Sequence, residues 1–301
     1  MRHAEVVEFF TMFSQPARID MQLACFPNSY GRFGPEAAIE HLPQIGVRCL
    51  ELPIKNSGVP SFFKETPLLT DASTLEEVDA VVQKIHDAGM QVCSCNISSG
   101  NVVDPEVVER TLKKLALAER AGVTLVVAGG GEAKTMEEQE RLVQNLRRIG
   151  DAAAERGITY CCETHPGAFQ DAAAMLATLN AVNHPAIRVN FDTGNIFYYN
   201  ANANLMDELE LVMDWVSHVH IKDTNGRFKD WHFPALGEGG AVDFVAVRKK
   251  LEEAGYEGPI SLEVEGIEGE PEPSLEEYQR RMQASVDHLK SCGWNLDDCC
   301  V

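Results

Sequence analysis

The sequence predicts an α/β protein built as a closed (β/α)8 barrel, the TIM-barrel architecture, and three observations predict it. Eight short apolar runs alternate with longer helical patterns along the chain. The runs are continuously apolar rather than alternating, as strands of a parallel sheet covered by helices are. After the first run comes Pro27-Asn28-Ser29-Tyr30-Gly31, which is neither a dinucleotide nor a phosphate loop, so an open doubly wound sheet lacks its usual signature.

The candidate strands are residues 19–26, 47–54, 90–97, 123–128, 158–165, 187–192, 218–223 and 259–264. The helical patterns between and after them cover 35–45, 75–88, 105–121, 136–156, 171–182, 205–216, 244–254 and 275–291. Gly34-Pro35 and Asp104-Pro105 place proline at a first helical position, where its missing N–H costs nothing. Ser73 and Thr74 precede Glu76 and Glu77, close to a capping box. Gly46, Gly89, Gly122, Gly157 and Gly255 stand where a helix must turn back, as a left-handed cap requires. Residues 1–18 read as an extra N-terminal helix, 19–292 as one barrel domain and 293–301 as a tail. The acidic stretch 265–273 reads as a loop.

Composition narrows the function. In 301 residues, 26 Lys and Arg against 46 Asp and Glu leave a net charge of −20. Such a polyanion repels nucleic-acid phosphates and anionic membranes, and no basic run offsets it. No stretch of 18 apolar residues spans a bilayer, and the N-terminus has no cleavable apolar core. Nine cysteines lie partly in strand-like runs without zinc-ribbon spacing, which fits a reducing cytoplasm.

Reactive groups in such a barrel stand at the C-terminal ends of strands, where inward residues recur with period two. Four strand ends carry costly side chains: Glu163-Thr164-His165, Asp192-Thr193-Gly194-Asn195, His218-Val219-His220-Ile221-Lys222-Asp223 and Ser261-Leu262-Glu263-Val264-Glu265. With Glu163, Asp192, His220 and Glu263 inward, three carboxylates and an imidazole converge at the mouth. Close carboxylates repel one another and protonate unless a cation lies between them. An oxygen-rich set with one nitrogen suits one divalent ion, with manganese first and magnesium, cobalt or zinc as alternatives.

These strand ends, together with residues 237–244 and 255–263, resemble the sugar isomerase/epimerase superfamily with the xylose isomerase-like barrel (AP endonuclease family 2). That superfamily also contains endonuclease IV, tagatose and allulose 3-epimerases, hydroxypyruvate isomerase and inosose dehydratase. The resemblance implies that Glu163, Asp192, His220 and Glu263 ligate the metal, with Glu163 and Glu263 doubling as acid and base. Glu265 shares the face of Glu263 and is the alternative ligand. Asn195 stands where several relatives carry histidine, which speaks against a multi-metal endonuclease, as does the acidic charge.

The implied chemistry is enolisation of a ketose or polyol ketone. Proton return gives an isomerase or epimerase; loss of a β-hydroxyl or an aglycone gives a lyase resembling inosose dehydratase or a 3-keto C-glycoside deglycosidase. An abasic-site endonuclease and a non-catalytic partner subunit are the rival classes. His165, Asn195, Lys222, His232 and Glu51 are candidate substrate contacts. Lys222 serves equally as an ion-pair partner, Glu51 as a solvated strand end, and His218 as a structural support for a ligand. His232, with Trp231 and Phe233, lies in the long loop 224–241 that could cover the mouth. Gly129-Gly130-Gly131 would let the backbone approach a ligand closely, but a plain turn is the stronger reading. The resemblance also implies a homodimer or homotetramer acting on a small sugar or polyol.

Overall fold

The computed structural model describes residues 21–296; the expected helix over 1–18 and most of the expected tail lie outside them. The strands are β1 (Leu23–Cys25), β2 (Cys49–Lys55), β3 (Leu69–Thr70), β4 (Gln91–Asn96), β5 (Leu125–Gly129), β6 (Thr159–Glu163), β7 (Ile187–Asp192), β8 (Val216–Ile221), β9 (His232–Phe233), β10 (Ile260–Leu262) and β11 (Gly266–Ile267). The helices are α1 (Gly34–His41), α2 (Leu75–Asp87), α3 (Pro105–Arg120), α4 (Met136–Ala154), α5 (Ala172–Val182), α6 (Asn195–Tyr199), α7 (Leu205–Val212), α8 (Phe244–Glu253) and α9 (Leu275–Ser291).

Eight parallel strands run in the order β1-β10-β8-β7-β6-β5-β4-β2, and pairing of β1 with β2 closes the sheet on itself. The two-residue β3 adds to β2 outside this ring. This is the expected (β/α)8 barrel. Its core is one buried cluster of strand and helix side chains that includes Leu50, Leu52, Val126, Val189, Phe191 and Ile260.

Local chemistry sets the element ends. Thr74 Oγ1 accepts the Glu77 N–H and the Glu77 carboxylate accepts the Thr74 N–H, which completes a capping box on α2. Asp104 caps α3 ahead of Pro105. The five expected glycine stops all have positive φ; at Gly46 the N–H bonds back to Leu42 and Pro43 carbonyls.

Some boundaries move. The first helix ends at His41 and continues as a 3-10 turn over Leu42–Ile45, because Pro43 has no N–H to continue the α-helical ladder. Strand β8 begins two residues early, and the acidic segment expected as loop contributes β11, which pairs antiparallel with β9 across the mouth. Two register shifts matter for the site, at Leu50/Glu51 against β4 and at Val189/Asn190 against β8. Such bulges re-aim side chains beside them.

Candidate metal centre and active site

Each reactive side chain is set by a strand end. In the parallel register Asp192 lies beside His220 and Ser261 beside His220, while Gly129 lies beside Glu163. Neighbours in register project to the same side, so Glu163, Asp192, His220 and Glu263 meet inside the barrel. One ligand-type atom from each lies within 4.8 Å of the others, and all four residues are buried.

His220 organises the cluster. Its Nδ1 lies 3.2 Å from Glu163 Oε1, 3.2 Å from Glu263 Oε2 and 3.8 Å from Asp192 Oδ2. Its Nε2 lies 3.0 Å from Glu51 Oε2, on the opposite edge of the ring, and Phe26 stacks on its face at 6.0 Å. The other carboxylate atoms are tied back. Asp192 Oδ1 accepts the N–H groups of Gly194 and Asn195, both at 2.8 Å. Glu263 Oε1 accepts from Asn28 Nδ2 at 2.6 Å.

Asp192 Oδ2 and Glu263 Oε2 turn inward instead, where Lys222 Nζ pairs with them at 3.2 and 2.7 Å. Lys222 also donates to Asn195 Oδ1 and Glu265 Oε2. Five carboxylates (Glu51, Glu163, Asp192, Glu263 and Glu265) thus surround one lysine and one histidine. The residues present fit a divalent cation: three carboxylates converge on one imidazole nitrogen, more negative charge than the one nearby lysine offsets, and the ring's other nitrogen is held by a carboxylate, as in carboxylate–histidine–metal arrangements.

Electrostatics separates the groups. Burial pushes the His220 imidazole down, but Glu51 and Glu263 outweigh it and raise it well above the usual value. Burial pushes His218, two residues below, down to about 4. Burial raises the Glu263 carboxyl, yet Lys222 and His220 hold it well below the carboxylate range. Glu265 is pushed up to about 8, chiefly by burial.

The remaining expected residues divide clearly. His165 is exposed at the rim, with Nε2 3.5 Å from Tyr199 Oη, and it lines a cavity of about 400 Å3 together with Asn195 and Lys222. Glu51 does not line that cavity; it lies beneath, fully buried, accepting from Asn96 Nδ2 and His220 Nε2. The alternative reading of Glu51 as a solvated strand end is therefore corrected, since it is fully buried. His232 does not line the cavity either: it pairs with Ile267 in the β9–β11 hairpin, while its neighbour Trp231 faces the mouth. Glu265 stays outside the four-group cluster and binds Lys222 and Asn28.

Sequence reasoning missed Asn28, whose position in the 3-10 turn after β1 carries no motif. It also missed Phe62 and Tyr198, which extend the aromatic rim beyond the expected Trp231. Phe62 is 76% exposed and lies 5.5 Å from Trp231, and Trp231 continues to Tyr198 at 5.7 Å. An exposed phenylalanine in the segment after β2 was the available signal.

The model for xylose isomerase-like TIM barrels matches residues 39–292. The chain belongs to this family. Inosose dehydratase from Klebsiella pneumoniae is 24% identical over 266 residues, covering 82% of this chain and 80% of that protein. A xylose isomerase domain protein from Planctomyces limnophilus shares the fold with a TM-score of 0.70 at 20% identity, covering 91% of this chain and 97% of that one. D-psicose 3-epimerase from Clostridium cellulolyticum H10, solved with D-tagatose, gives 0.70 at 15% identity, covering 90% and 99%. The proteins it resembles thus include an epimerase and a dehydratase. Among the described residues no helix is long and apolar enough to cross a membrane.

Proposed function

We propose that the protein is a divalent-metal-dependent enzyme that enolises a ketose or a related polyol ketone and acts as an isomerase or epimerase. The observation that carries this reading is the buried convergence of Glu163, Asp192, His220 and Glu263, whose ligand-type atoms all lie within 4.8 Å of one another. Glu163, Asp192, His220 and Glu263 would hold the ion. When bound it supplies Lewis-acid polarisation of the carbonyl and offsets charge on the substrate oxygens, with manganese the first choice and magnesium, cobalt or zinc the alternatives.

The chain's own groups then divide the work. Glu263 is pinned by Asn28 and faces Lys222 at 2.7 Å, so it holds its negative charge and is a poor proton acceptor. Glu163 has one contact, from Oε1 to His220, and lines the cavity. Its carboxylate is the base that takes the C–H proton; Glu263, held charged, donates from the other side only once it has itself taken up a proton. Asn195 holds the Lys222 ammonium, which stands beside the substrate oxygens. His165 and Asn195 are positioned to bind hydroxyls. The aromatic rim excludes water.

A second reading, loss of a β-hydroxyl, is favoured by the inosose dehydratase relatives, which match across most of the barrel. The test is incubation in deuterated buffer with D-fructose and with an inosose. Deuterium uptake with retention of every oxygen supports the isomerase or epimerase; loss of water supports the dehydratase. If neither occurs with any added divalent metal, the enolisation reading fails.

A further inference from the structure

Two cavities meet at Glu163. The main one, about 400 Å3, runs from the cluster to the aromatic rim. A second, about 380 Å3, opens beside it over the turn after β5, and the two share Ser98, Glu163 and His165. The carboxylate assigned as base therefore stands at a junction rather than at the end of one closed pocket. Each cavity falls within the size range of small-molecule sites, roughly 300–1,000 Å3.

The second cavity is walled by the backbone of Gly129, Gly130 and Gly131. Packing explains two of these glycines. A Cβ at Gly130 would meet the Phe169 ring at 2.1 Å, and one at Gly131 would meet Val102 and Asn101 at 2.7 and 2.9 Å. Gly129 is different. A Cβ there meets nothing within 4 Å, and its φ is not in the left-handed region. Its register partner is Glu163, so a side chain at 129 would point inward with Glu163, into the space where the cavities join. Neither packing nor backbone conformation demands glycine at this position; what glycine provides is open space.

Charge narrows the occupant. No Lys or Arg lines the second cavity, and Glu132 and Glu163 do, which disfavours a phosphate or carboxylate. In the main cavity Lys55 is paired with Glu65 at 2.9 Å, and Lys222 with Glu265 at 3.0 Å. Ser98, Asn101, His165 and peptide groups give the second cavity hydrogen-bonding positions for hydroxyls, beside apolar surface for a sugar ring's C–H faces.

We propose that the natural substrate has two units: a ketose unit whose carbonyl end meets the cluster, and a second, uncharged, hydroxyl-rich unit, glycosidically joined, lying in the cavity beside Gly129. What happens at the carbonyl rests on the enolisation reading above; binding of two units does not. Titration calorimetry of the manganese-supplemented protein with D-fructose, turanose and isomaltulose tests it, the latter two being glucosyl-fructoses of different linkage. At least one disaccharide binds about tenfold tighter than D-fructose, about 1.4 kcal/mol. Gly129→Leu and Glu132→Trp each bring that ratio down to about threefold or less. Glu132 is exposed, so the second variant decides the matter if the first does not fold. Equal affinity for D-fructose and both disaccharides, or a ratio that survives both variants, overturns the proposal. Deuterium exchange into D-fructose without a disaccharide advantage defeats this inference alone. A disaccharide advantage without exchange into any of the three sugars defeats enolisation alone and leaves the two-unit site standing.

Discussion

His218 and His220 sit two residues apart on β8, both buried, and end in opposite states. His218 lies in a lower layer, where Nδ1 is 2.9 Å from Asn190 Oδ1 and Nε2 is 3.2 Å from Ser94 Oγ and 3.5 Å from Glu51 Oε2. Burial there pushes its titration down to about 4 against the pull of Glu51, so it remains a neutral ring. His220 lies one layer up with three carboxylates at Nδ1 and Glu51 at Nε2. One carboxylate, Glu51, reaches the lower ring, while four surround the upper one. Depth in the barrel, and not residue type, separates the two environments.

The largest effect that could break this contrast is Glu163→Gln. It removes the proposed base while keeping the shape, and deuterium exchange into ketose falls by about 10²–10⁴-fold; exchange at the wild-type rate would place the base elsewhere. Chelation comes next. Stripping divalent ions abolishes exchange, and adding back manganese at about 100 times its Kd raises stability by about 2.7 kcal/mol through mass action, read as a higher Tm. An unchanged Tm would mean that the four-group cluster does not gather a cation.

Glu51→Gln tests the link between the layers. It replaces the carboxylate that holds His220 Nε2, and metal affinity measured by competition with a chromophoric chelator drops about 10–100-fold. An unchanged affinity would reduce Glu51 to a member of the lower scaffold. The smallest effect is expected away from both layers. Buried Lys114 donates to Asn56 Oδ1 at 2.7 Å and to the Ser98 carbonyl at 2.9 Å, and burial lowers its titration to about 7. The unfolded lysine therefore binds more protons between about pH 7 and its ordinary value near 10.4, so stability rises with pH across that window. Denaturant melts of the wild type show this rise, and Lys114→Met flattens it at a cost of about 1–3 kcal/mol from the unpaired acceptors.

Much of the site was legible in the sequence. Strand ends recur where period-two alternation can be counted, so the convergence of Glu163, Asp192, His220 and Glu263 followed from spacing and fold class. Glu51 was harder, because the register shift at Leu50/Glu51 re-aims it beneath His220, and a bulge leaves no mark in one strand read alone. Glu263 and Glu265 were inseparable by periodicity; in the structure Asn28 binds both, while Glu263 joins the four-group cluster. Asn28 itself stands 235 residues from Glu263.

By itself the sequence determined the barrel, its helix stops and the four side chains gathered at its mouth, because those depend on apolar periodicity, capping chemistry and glycine at left-handed turns, all local to a segment. Only the tertiary structure decided which oxygens face Lys222 and His220, that Glu51 meets His220 Nε2 beneath the cavity, that Trp231 and not His232 meets the cavity, and that Gly129 lies where two cavities meet. These depend on what closes over each group from distant strands, and closing the barrel between β1 and β2 is the step that brings those strands together.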